Sequence, residues 1–161
     1  MVNLRSLPPA ARAVATAMHA AVRAAGDADP DALTESAAEL AALDSEQTGT
    51  AQGAITRLLL EELHPDGLDG DDIRTVLREC TTWASTFFPA TDPHALLIVL
   101  AGALGIHPEE HDQVPRPAPA TLASHAPLLI AHLLGTSGRH LDPYLAAAFA
   151  DIERAETMEA P

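Results

Sequence analysis

Lysine is absent from this sequence: all nine basic residues among its 161 are arginine. Arg5, Arg12, Arg23, Arg57, Arg74, Arg78, Arg116, Arg139 and Arg154 each stand alone, while 23 Asp and Glu bring the net charge to −14. Nucleic-acid binding rests on a basic face that neutralises phosphates, and no such stripe exists here. The Ala-rich, acidic opening of the chain also contains no basic recognition helix. Nucleic acid is thereby excluded as a partner. The lack of Lys beside abundant Ala, Pro and Arg fits a GC-rich, bacterial coding sequence.

Cysteine is nearly absent too. Cys80 is alone, so neither an intramolecular disulfide nor a cysteine-built zinc site can form within one chain, which suits a reducing cytoplasm. Long apolar runs are missing: the longest, Ala95 to Ile106, is 12 residues, against the roughly 20 needed to span a bilayer. Arg12 and His19 interrupt the N-terminal stretch where a signal peptide would carry its apolar core. The expectation is a cytoplasmic protein without membrane contact. No segment alternates apolar and polar residues for long, and β-branched residues are sparse, so no strand is expected. Nor is there a phosphate loop, a dinucleotide fingerprint or a G-x-S-x-G elbow, and no cofactor is called for.

What the chain does contain is helix signal. Asp29-Pro30, Asp92-Pro93 and Asp142-Pro143 each precede an apolar-periodic run. The Asp carboxylate accepts from orphan amides, and Pro sits without loss at the first helical position. Around these starts the pattern predicts seven helices: about 8–25, 30–43, a third beginning within 45–51 and ending at 63, 70–88, 93–105, one from a Ser124 cap to 135, and 143–156. The prediction is an all-α, single-domain bundle of about seven helices over 1–161, packed round the central apolar helix 93–105. A Pro-rich surface loop crosses at about 107–120. The last helix carries Leu141, Tyr144, Leu145, Ala148, Phe149 and Ile152 on one side, able to close the core or to dimerise.

Several constellations suggest chemistry. His107, Glu110 and His111 spell H-x-x-E-H, the written form of a zinc-peptidase signature. The i, i+4 spacing is met, but Pro115 and Pro117 follow so soon that the pair has no rigid helical base, and a solvated acidic loop is the preferred reading. Glu61 and His64 form one Glu-x-x-His, where a di-iron bundle needs two copies; His64 reads instead as a helix C-terminal residue. Asp66, Asp69, Asp71 and Asp72 fail the calcium-loop register, and Asp69, Asp71 and Asp72 read instead as caps of the fourth helix. His125 and His132 share a helix face about 10 Å apart, too far for one ion. Cys80 lies on the apolar stripe of its helix and reads as a small core residue with a raised pKa.

By exclusion, the chain reads as a non-catalytic cytoplasmic binding or regulatory protein acting through a helical protein partner or a homodimer surface. The alternative is a small-molecule-binding domain, or a small enzyme using the same cavity, with an apolar pocket near Trp83, Phe87 and Phe88.

Overall fold

Aspartate caps set four of the seven helix starts. In the computed structural model, which describes residues 4–106 and 115–159, a 3-10 turn at Leu4–Ser6 precedes seven helices: α1 (Pro9–Gly26), α2 (Pro30–Ala41), α3 (Ser45–Leu63), α4 (Gly70–Ser85), α5 (Pro93–Ala103), α6 (Pro119–Ser137) and α7 (Asp142–Glu159). Asp29 accepts from the Ala32 amide at 3.1 Å, Asp44 from Gln47 at 3.0 Å, and Asp92 from His94 at 2.9 Å. Asp69 and Asp72 form a reciprocal capping box, at 2.8 and 3.0 Å. Part of the chain's acidity is thus structural. The third Asp-Pro pair differs: Leu141, one residue earlier, offers the carbonyl that takes the Leu145 amide. Asp142 lies inside the first turn of α7 and faces His19 of α1 at 3.6 Å.

Among the described residues the protein is all-helical, as expected, and one apolar cluster draws on all seven helices. Small side chains shape it. Ala11, Val14, Ala15, Met18, Ala21, Val22 and Ala25 form the buried stripe of α1, which packs against α2 and α6. Where α3 meets α5, a Cβ built on Gly53 would lie 3.8 Å from the Ala103 Cα, so the backbones nearly touch. α7 packs on α3, closing the core with Leu141, Tyr144, Leu145, Ala148 and Phe149. The Tyr144 hydroxyl donates to the Glu62 carboxylate across that seam.

The centre of the bundle is not the helix the apolar pattern nominated. α6 packs against α1, α2, α3, α4 and α5, and every residue from Ala123 to Ala131 is buried. α5 packs mainly against α3, α6 and α4, and Leu97 stays 43% and Ile106 53% exposed. α6 also begins earlier than a Ser124 cap would place it, with Pro119 at its first position. Pro127 therefore lies in the helix interior, where it withholds the amide that Ala123 would otherwise receive. Proline at a first-turn position and proline inside a helix look alike in a Pro-rich run.

Candidate functional site

Trp83, Phe87 and Phe88 leave the end of α4 in three different settings. Trp83 is half-buried, edge-on to Phe87 (centroids 5.1 Å, 67°) and tilted over His132 of α6 (5.9 Å, 38°). It forms one wall of an open groove of about 630 Å³, lined also by His132, Gly135, Thr136, Arg139, His140 and Gly26. Phe87 is half-buried against the core, and Phe88 is buried with its ring edge-on to His125 at 6.1 Å. Neither Phe lines that groove.

The far wall is built by the end of α6. Gly138 adopts a left-handed conformation (φ 67°) and the Arg139 amide returns to the Leu134 carbonyl at 3.2 Å. This αL cap turns the chain so that Arg139 and His140 follow His132 round the groove. No carboxylate is among the lining residues. Burial lowers the pKa of His132, with Glu79 acting in the opposite direction. Glu79 itself lines an adjoining cavity of about 200 Å³ with His64, Asp72 and His132, which the two spaces share.

The two histidines sharing a face of α6 part company. His125 is buried, its Nε2 accepting the Asp92 backbone N–H at 2.8 Å and its Nδ1 lying 2.7 Å from the Thr121 carbonyl. That pairing requires a proton on Nδ1 and none on Nε2, so the ring is neutral. Burial lowers its pKa accordingly. His125 is thus a structural clasp between α6 and the start of α5.

Cys80 is fully buried, its thiol pushed up to about 12 by desolvation, consistent with a core role. His64 closes α3 with Nδ1 3.8 Å from Asp72. His107, Glu110 and His111 lie outside the described residues. Among the described residues no group of three or more His, Cys, Asp or Glu is placed to hold a metal ion.

A second surface lies on α5. From Pro93 to Ile106 the chain carries no formally charged residue, and Pro93 and Leu97, with half-buried Ala101, follow one another at intervals of one helical turn toward solvent. Nothing lies within 4 Å of a Cβ built on Gly102. The exposure of this helix was not legible from its sequence, which shows no polar face to mark a solvent side. Arg139 and His140 were missed as partners of Trp83, because 56 residues separate Trp83 from Arg139 and "TSGRH" reads only as a connector. Among the described residues no helix is long and apolar enough to cross a membrane. No family model, curated protein or solved structure matches the chain.

Proposed function

We propose that this chain is a non-catalytic binding protein that holds an apolar helical segment of a protein partner against the outer face of α5. One observation carries the reading: an uncharged helix keeps Leu97 43% exposed, with Ile106 53% exposed just beyond its end. Exposed large apolar side chains grouped on one element of an otherwise charged surface favour association. The strip of Pro93, Leu97 and Ala101 is one helix wide. A partner helix with an apolar centre and basic flanks complements it, because each copy of this chain carries a net charge of −14 and two copies repel.

The test is titration of isotope-labelled protein with a synthetic amphipathic Leu/Lys helix, followed by amide NMR. A helix of equal charge with Ser in place of Leu serves as control, and sedimentation is run in parallel. The expected result is perturbation centred on Leu97, Ala101 and Ile106 by the Leu/Lys helix alone, abolished by Leu97→Glu without loss of fold. Equal response to both helices, or shifts centred elsewhere, overturns the reading. A dimer that Leu97→Glu dissolves reassigns the face to a second copy.

A further inference from the structure

We infer that the groove beside Trp83 is a binding site for a small aromatic carboxylate, its ring against the indole and its carboxylate against Arg139. No residue of α5 lines this groove, so the inference is independent of the reading of that helix.

Charge is the first argument. In a chain with 23 carboxylates, none lines this groove, whereas Arg139, His132 and His140 do. The other arginines are mostly occupied locally. Arg23, Arg57, Arg74 and Arg154 each face a carboxylate three or four residues away, and Arg12 donates to the carbonyls of Leu4, Arg5 and Leu7. Arg139 has no ion pair among the described residues; its charge acts on the Tyr144 hydroxyl, not on a carboxylate directly. Arg78 and Arg116 share that property, but neither lines this groove. The nearest carboxylate in sequence to this lining, Asp27, faces Arg23 at 3.9 Å, and Glu79 lies in the adjoining cavity. A guanidinium without a carboxylate partner is a fork for one.

Shape is the second. A volume of about 630 Å³ suits a small molecule rather than a polypeptide segment. Trp83 supplies an aromatic wall with His132 tilted beside it, and a planar ring can stack there. Gly135 lies within α6, where glycine weakens the helix, yet nothing lies within 4 Å of a Cβ built on it. No packing inside the chain demands its smallness. A side chain there would fill the space in front of the wall.

The test is calorimetric titration with indole-3-acetate, cinnamate and 4-hydroxybenzoate, each compared with its amide. We expect one saturable site for at least one acid, with the amide weaker by about tenfold or more, the loss expected when a charge-assisted pair is replaced by a neutral one. Arg139→Ala should reproduce that loss, and Gly135→Leu should block binding. Both positions are exposed, so both variants should keep the native fold by circular dichroism, and Leu97→Glu should leave binding unchanged. Failure of all three acids at millimolar concentration, equal binding of acid and amide, or full binding by Arg139→Ala and Gly135→Leu overturns the proposal.

Discussion

The His125 Nε2 accepts the backbone N–H of Asp92 at 2.8 Å, tying the middle of α6 to the N-cap of α5. Asp92 uses its carboxylate to cap the helix and its amide to hold the imidazole, so one residue fixes both the start and the docking of α5. Replacing His125 by Ala removes the acceptor, leaves a partly buried amide without a partner and opens a cavity beside Phe88. We expect a loss of about 2–4 kcal/mol in urea unfolding. A change below about 0.5 kcal/mol would place the clasp outside the stabilising core.

The same histidine sets a pH dependence. His125 and His132 both have folded-state pKa values lowered by burial. Above the unfolded value of about 6.5, both states are neutral and stability is full. As pH falls below it, the unfolded chain takes up protons that the folded chain refuses, and stability declines until the folded pKa values are reached. The urea midpoint should therefore drop between pH 7.5 and 5.5, and His125→Gln should flatten part of that slope. A midpoint that rises on acidification over this window would contradict the neutral clasp.

The end of α1 offers a gain. Its last turn closes with Asp29 N–H on the Ala24 carbonyl (3.0 Å) and Ala28 N–H on that of Ala25 (3.1 Å), which puts Ala28 at φ 55°. This is a Schellman turn with alanine at the position that favours glycine. Left-handed backbone costs a non-glycine residue roughly 1 kcal/mol, offset in part by the entropy glycine loses on folding. Ala28→Gly should raise stability by about 0.5 kcal/mol, read as a higher midpoint at unchanged slope.

Cys80 should be silent in the folded state. Its thiol is fully buried and pushed up to about 12, and the thiolate is the reactive form. Iodoacetamide labelling at pH 8 should proceed only through opening of the core, and so accelerate with urea. Rapid labelling of native protein would show α4 opening far more readily than its packing implies.

The caps were the most legible part of the sequence. Asp29, Asp69 and Asp92 act locally, within three residues, and a local hydrogen bond is written in local sequence. Helix existence followed from periodicity for the same reason. The order of burial did not. α5 is apolar on nearly every side and still half open, whereas α6 lies at the centre although His125, His132, Ser124 and Pro127 interrupt its apolar pattern. The two histidines are tolerated because each answers a partner that only the fold supplies, Asp92 for His125 and the Trp83 ring for His132, while Ser124 turns back on the Thr121 carbonyl of its own helix (2.8 Å). Trp83 was singled out from the sequence with Phe87 and Phe88, but Arg139 joins it in one groove through the left-handed turn at Gly138, a juxtaposition no spacing encodes.

Two leucines three residues apart on α5 separate packing from binding. Leu100 is 1% exposed and Leu97 is 43% exposed, so the same substitution meets opposite surroundings. Leu100→Asp would place an unpaired carboxylate in the apolar cluster, a cost of several kcal/mol against a total stability of about 5–15 kcal/mol for a domain of this kind. We expect unfolding or aggregation. Leu97→Asp loses only part of one side chain's burial, about 1 kcal/mol or less, and should melt near the parent temperature with improved solubility. Thermal melts of the two variants side by side check the placement of α5. If Leu100→Asp kept the parent melting temperature and Leu97→Asp lost it, the helix would be rotated, with Leu100 on the outside, and the docking strip on α5 would fall on its other face.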